Sequence, residues 1–223
     1  MDPIENIPDN TRTMVTMIKV VALSGSLRKA SSHTGLIRAG SLMVAAIELS
    51  KRAIEGMEIE YIEISELPML NTDLENNGTY TPIIEAFRHK ILQAHSILFA
   101  SPEYNYSLTA PLKNAIDWAS RPPNVWAGKA AAIVSAGYDE FGGGRAQYHL
   151  RQIGVYLDLH FINKPEFFLN AFQRPRKFNK DGDLIDEEAN NKLKQVLLSL
   201  QELTLRLQGK KADPDSAQVL KSC

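Results

Sequence analysis

A chain of 223 residues, 44% of them hydrophobic, is long enough for one domain with a large core and short for two. Its 25 basic and 26 acidic residues leave a formal charge of −1, so no global field recruits nucleic acid or an anionic membrane, and a charged ligand must be caught locally. No run of about 18 apolar residues is present to span a bilayer. The first residues carry Asp2, Glu5 and Asp9 without a basic start or an apolar stretch, which argues against a secretory signal. The single cysteine, Cys223, is the last residue and has no internal partner, which fits a reducing, cytoplasmic compartment.

Residues 1–16 read as a polar tail. The apolar run Ile18 to Leu23 predicts the first strand, and it leads straight into Ser24-Gly25-Ser26-Leu27-Arg28-Lys29-Ala30-Ser31-Ser32-His33-Thr34. Five hydroxyls lie in that loop, Gly25 is expected to let the backbone turn its N–H groups inward, and Arg28 adds charge ahead of a helix start. Such a donor set suits a phosphate monoester. Neither Gly-x-Gly-x-x-Gly nor Gly-Lys-Ser/Thr follows the strand, so a dinucleotide loop and a metal-nucleotide loop are not indicated. A helix is predicted from His33 to Ile54, a strand from Ile59 to Ile64 and a helix from Pro82 to Gln93.

The third strand, Ile97 to Ala100, ends in Ser101-Pro102-Glu103-Tyr104-Asn105-Tyr106-Ser107. Pro102 holds Ser101 extended and sends the loop off the sheet edge in a defined direction. Backbone groups of Glu103 to Asn105 would then meet the polar edge of a flat ring, with Tyr104 or Tyr106 covering apolar surface. A helix follows at Pro111 to Ser120, on which Asn114 and Trp118 share a face, Trp118 reading as core or subunit contact. Then come a strand at Ala130 to Ser135 and a loop, Ser135 to Arg145, whose glycines permit close approach of backbone to a ring. A helix at Arg145 to Leu157, a strand near Leu159 to Ile162 and a helix at Glu187 to Leu207 complete the domain, 17–208. Residues 209–223 form a second polar tail.

Five strands alternating with five helices predict a doubly wound parallel sheet of order 2-1-3-4-5. In that order a ligand sits at the switch point between strands 1 and 3, and both motif-bearing loops lie at the carboxyl ends of those strands. His33, His89, His95, His149 and His160 show no metal spacing, so no metal is expected. No Gly-x-Ser-x-Gly elbow appears.

With Gly25-Ser26-Leu27-Arg28 after the first strand and Pro102-Glu103-Tyr104-Asn105 after the third, the chain resembles the flavodoxin-like NAD(P)H-dependent FMN reductases. Ala110 to Pro122 and Gln147-Tyr148-His149-Leu150-Arg151-Gln152 are similar to the plant-type NAD(P)H:quinone oxidoreductases within that family, and the likeness runs from about Ile18 to Leu207. The resemblance implies a flavodoxin-like fold, FMN as cofactor, NAD(P)H as co-substrate, and two-electron hydride transfer to quinones without an acid–base dyad. Ser24, Ser26, Arg28, Ser32, His33 and Thr34 are the candidates for the FMN phosphate. Pro102, Glu103, Tyr104, Asn105 and Tyr106 are the candidates for the ring, with Ser135 and Gly137 from the third loop. A homodimer or homotetramer is implied, with Tyr148, Arg151 and the helix around Asn114 to Trp118 as contact surface; Arg145 is a candidate phosphate or subunit contact.

Three places depart from the family pattern. His33 stands where many relatives carry asparagine, and either donates to the phosphate or caps the first helix. Gly40-Ser41-Leu42-Met43-Val44-Ala45 resembles an insertion of about six residues, and the cost of Gly40 in mid-helix, near 1 kcal/mol, predicts a bulge or kink there. Tyr138-Asp139-Glu140 interrupts a glycine-rich run, adds two negative charges near the expected pyridine-nucleotide site, and predicts either a loop swung outward or a site that handles pyridine nucleotide less well. Two other functions share the fold: a one-electron flavodoxin-type carrier, against which the near-neutral charge argues, and a non-enzymatic flavin-binding regulatory protein.

Overall fold

The computed structural model describes residues 16–37 and 46–209. The expected insertion at Gly40 to Ala45 and its bulge lie outside the described residues, as do the two polar tails apart from Thr16 and Gly209. The chain runs β1 (Ile18–Ser24), α1 (Ser32–Ile37), α2 (Ala46–Ala53), β2 (Met57–Ile62), a 3₁₀ turn at Thr72–Leu74, and α3 (Pro82–Gln93). It continues through β3 (Ser96–Ala100), α4 (Ala110–Ser120), β4 (Ala130–Gly137), α5 (Gly144–Leu157), β5 (His160–Phe161), β6 (Phe167–Asn170) and α6 (Glu187–Leu207). All strand pairs are parallel, in the order β2-β1-β3-β4-β5, with β6 also on β4.

The central strands are buried on both faces, as a parallel sheet covered by helices requires. Residue parity decides which face each side chain serves. Val20, Ala22, Leu98, Ala132 and Val134 pack with α1, α2 and α6, where Leu193, Val196, Leu197 and Leu200 are wholly buried. Val21, Leu23, Ile97, Phe99 and Ile133 pack with α3, α4 and α5, through Phe87, Ile91, Leu112, Ile116 and Leu150. Pro at the first turn and an extended Thr before it set the starts of α3 and α4.

Two expectations change. The second strand starts at Met57 and stops at Ile62, because Glu63 Oε1 accepts the N–H groups of Ile64 and Ser65 and closes the ladder. The fifth strand is two short ones in succession. Ala131 pairs with Phe161 and Val134 with Phe167, so three steps along β4 face six along the partner, and the surplus forms an excursion at 162–166. Trp118 takes the core reading: it and Asn114 are both buried and grip the chain's own segment between β2 and α3. Asn114 Oδ1 accepts from Leu70 N at 2.7 Å and its amide donates to Pro68 O, to which the Trp118 indole also donates at 2.7 Å.

Candidate functional site

The carboxyl ends of β1, β3 and β4 meet at one edge of the sheet, and three loops leave from them. In the first, Ser24 is buried at the end of β1; its Oγ accepts the Ser26 N–H at 3.2 Å and lies 3.0 Å from Thr34 Oγ1. Ser26 Oγ accepts from Arg28 N at 3.4 Å, and Ser31 Oγ accepts from His33 N at 3.2 Å at the start of α1. Ser32 and Thr34 are half-buried, and Arg28 is exposed with no ion pair among the described residues. The Gly25 N–H itself bonds Ala100 O at 2.8 Å, and the Gly25 carbonyl accepts from Thr109 Oγ1 at 2.6 Å. A Cβ here would stand 2.9 Å from Thr109 Oγ1 and 3.1 Å from Pro102 Cδ, so glycine is needed for the first and second loops to touch.

His33 does not cap α1, since Ser31 does. Its buried ring crosses to the end of β4, where Nε2 accepts the Ala136 N–H at 3.2 Å. Burial holds its pKa down at about 4, and the nearby positive charge of Arg28 acts in the same direction. The ring is therefore neutral at pH 7, with Nδ1 the only nitrogen left to donate.

In the second loop, Tyr104 and Ser107 exchange backbone hydrogen bonds at 2.9 and 3.0 Å around Asn105 and Tyr106, whose φ angles of 50° and 66° make a type I′ turn. The N–H groups of Asn105 and Tyr106 at its tip have no partner among the described residues, and both tyrosine rings are exposed. Pro102 is buried beneath. Glu103 has a role the sequence did not suggest: its carboxylate, nearly enclosed, supplies the cap that Gly143 cannot give α5. Oε2 accepts from Arg145 N at 2.9 Å and from Ala146 N at 3.3 Å, while Oε1 binds the Arg145 guanidinium at 2.7 Å. Arg145 is thus not a free phosphate contact; it lies between the rings of Tyr106 and Phe141, 4.1 and 3.9 Å from their centres.

The third loop leaves β4 at Gly137, two residues beyond the expected end. Ser135 is wholly buried, and its hydroxyl works beneath the loop: it donates to Gly142 O and accepts from Gln147 Nε2, both at 2.7 Å. Gly143, at φ 84°, brings the loop onto Ser135, where a Cβ would lie 2.9 Å from the serine Cβ. Tyr138-Asp139-Glu140 does not swing outward. Asp139 Oδ1 accepts the N–H groups of Phe141 and Gly142 at 2.9 Å, Ala171 N bonds Gly137 O at 2.7 Å, and the Tyr138 ring packs 4.6 Å from Phe172.

Beside the second loop opens a cleft of about 690 Å³ lined by Tyr104, Leu108, Lys113, His149, Gln152 and Ile153. His149 Nδ1 lies 2.9 Å from Ser107 Oγ at its wall. No local motif marks His149, Gln147 or the Thr109 hydroxyl, because the fold brings in the partner of each from 42, 12 and 84 positions away. No group of three or more His, Cys, Asp or Glu residues fit for a metal occurs among the described residues.

The family model for NADPH-dependent FMN reductases matches residues 18–174. An NADPH:quinone oxidoreductase of Arabidopsis thaliana is 70% identical over 194 residues, 87% of this chain and 95% of that one. An NAD(P)H-dependent FMN reductase of Pseudomonas aeruginosa is 44% identical over 193 residues, 86% of this chain and 98% of that one. Among solved structures, the flavoenzyme NAD(P)H:(acceptor) oxidoreductase of Paracoccus denitrificans aligns with a TM-score of 0.68 at 26% identity, covering 88% of this chain and 100% of that chain.

Proposed function

Since the chain belongs to the NADPH-dependent FMN reductase family, we propose that it is an FMN-dependent NAD(P)H:quinone oxidoreductase, transferring two electrons as hydride to quinones or similar acceptors. The observation that carries this reading is the division of donors at the sheet edge. An uncommitted guanidinium, Arg28, stands with hydroxyls on the loop after β1, and two unpartnered N–H groups stand at the tip of the loop after β3.

The donor set fits FMN. Ser24, Ser26, Ser32, Thr34, the Nδ1 of His33 and Arg28 would hold the phosphate, a group of donors with no carboxylate among them. Pro102 and the turn at Glu103 to Tyr106 would carry the ring, with the Gly137 backbone beside it and Ser135 supporting that loop from below. FMN, when bound, supplies a ring that takes up and returns a hydride. The protein's part is alignment: holding donor and acceptor about 3–3.5 Å from that ring is worth roughly 7–11 kcal/mol. The N–H groups of Asn105 and Tyr106 are set to stabilise negative charge at the ring edge.

The same reading includes a homodimer or homotetramer. Tyr148, Val155 and Tyr156 form an exposed, largely apolar face on α5, continuous with the cleft at His149 and Gln152. Arg151 supports that face indirectly, since its guanidinium is engaged with Ile162 O at 2.9 Å. No described helix is long and apolar enough to cross a membrane, and with one cysteine available no internal disulfide can form, so the reading places the enzyme in the cytoplasm.

A visible spectrum of the purified protein, with steady-state NADPH oxidation measured with and without quinone, tests the proposal. A flavin band and quinone-dependent oxidation are expected. Failure to take up added FMN overturns it; flavin uptake without NADPH oxidation favours an electron carrier or regulatory protein instead.

A further inference from the structure

We infer that the segment from Phe172 to Arg176, together with Tyr138, docks the adenosine half of NADPH, with Arg174 and Arg176 reading its 2′-phosphate. The inference rests on the proposed reductase activity and adds to it the residues that select NADPH over NADH. Tyr138 and Phe172 remain 61% and 69% exposed although their ring centres are 4.6 Å apart, so the pair presents open aromatic surface at the edge where the third loop leaves the sheet. Two restraints hold the pair. Ala171 N bonds Gly137 O, and Asn170 Oδ1 accepts the N–H groups of Phe172 and Gln173 at 2.9 and 3.2 Å, fixing the turn on which Phe172 stands.

Beyond Phe172 the chain crosses towards the first loop. Phe178 and Leu184 pair across a short hairpin, and its Gly182 lies against the backbone of Ser31 so closely that an added Cβ would stand 2.8 Å away. Residues 172–178 therefore bridge the third loop and the loop proposed to hold the FMN phosphate. Arg174 and Arg176 lie on that bridge, exposed and without an ion pair among the described residues, whereas the adjacent Lys177 is engaged with Asp186 at 2.7 Å.

A base bound on the Tyr138–Phe172 pair would have its ribose beside Arg174, two residues from Phe172 with its Cα no more than about 7 Å away, while Arg176, four residues on and no more than about 14 Å away, would reach back along its side chain. Arginine forks match phosphate oxygens, and aromatic faces stack on bases without regard to the rest of the nucleotide. Of the two neighbouring acids, the Asp139 carboxylate is turned into its own loop, with one oxygen on two backbone N–H groups and the other 3.5 Å from Arg145, which leaves exposed Glu140 as the one negative charge the two arginines must outweigh. Only the 2′-phosphate distinguishes NADPH from NADH, so paired arginines beside the stacking surface are specificity residues.

Calorimetric titration of the FMN-loaded protein with adenosine 2′,5′-bisphosphate and with ADP is the test. Wild type should prefer the bisphosphate by at least about tenfold. Arg174→Ala/Arg176→Ala should lose that preference, Arg174→Lys/Arg176→Lys should keep part of it, and Tyr138→Ala should weaken both nucleotides alike. In steady state, the ratio of kcat/KM for NADPH to that for NADH should fall about tenfold in the double alanine variant. A wild type without preference, or a double alanine variant that retains it, overturns the inference. Absence of turnover with either nucleotide would instead overturn the reductase reading, while the titration, which needs no turnover, still decides the arginines.

Discussion

The loop after β1 and the loop after β4 each carry a buried strand end into a helix, yet they dispose of their charged groups in opposite ways. After β1, Arg28 stays exposed and unpaired above a set of serines. After β4, Asp139 caps its own turn, and Arg145 is held by Glu103 between two aromatic rings. On the proposed function, the difference separates binding from support. A guanidinium that must meet a ligand gains from remaining uncommitted, since any internal partner would have to be broken first; one that fixes a loop gains from being saturated. The His33 ring ties the two loops together through Ala136 N.

That tie is the place to break the comparison hardest. Because the folded-state pKa of His33 is lowered from 6.5 to about 4, the unfolded chain binds a proton more readily than the folded one between those values. Stability should be fully present above pH 6.5 and fall by up to about 3 kcal/mol as pH drops to 4. Urea unfolding at pH 7, 5 and 4 reads this directly, and His33→Asn should flatten that part of the profile.

Arg28→Ala tests the uncommitted side. FMN affinity should weaken about ten- to a hundredfold with the melting temperature of the FMN-free protein unmoved, measured by fluorescence titration and thermal unfolding. Unchanged affinity would remove Arg28 from the site. On the saturated side, Glu103→Ala should cost about 1–2 kcal/mol of stability, because the N–H groups at the start of α5 lose their acceptor. The smallest effect is expected from Tyr106→Gly: an Asn-Gly pair suits the type I′ turn better, while the stack on Arg145 is lost, leaving stability within about 1 kcal/mol of wild type.

Much of this architecture could be read along the chain. The continuous apolar runs at β1, β3 and β4, and the amphipathic patterns of α3 to α6, are local signals that burial in a covered parallel sheet imposes directly. The serine-rich loop at Ser24 to Thr34 and the proline-led loop at Pro102 were equally visible, because the donors and the backbone restraint lie within a few residues of one another. The split between β5 and β6 was not visible, since it depends on which residues of β4 each segment meets.

What the residue order determined by itself was therefore the succession β1 to β4 and the switch point between β1 and β3. Tertiary structure alone decided how the site's polar side chains are used. Glu103 meets Arg145 across 42 positions, Thr109 meets Gly25 across 84, and His33 meets Ala136 across 103. A glutamate, a threonine or a histidine carries the same hydrogen-bonding groups wherever it stands; only closure of the β1, β3 and β4 ends into one edge selects the partner that turns it into a cap, a strap or a bridge.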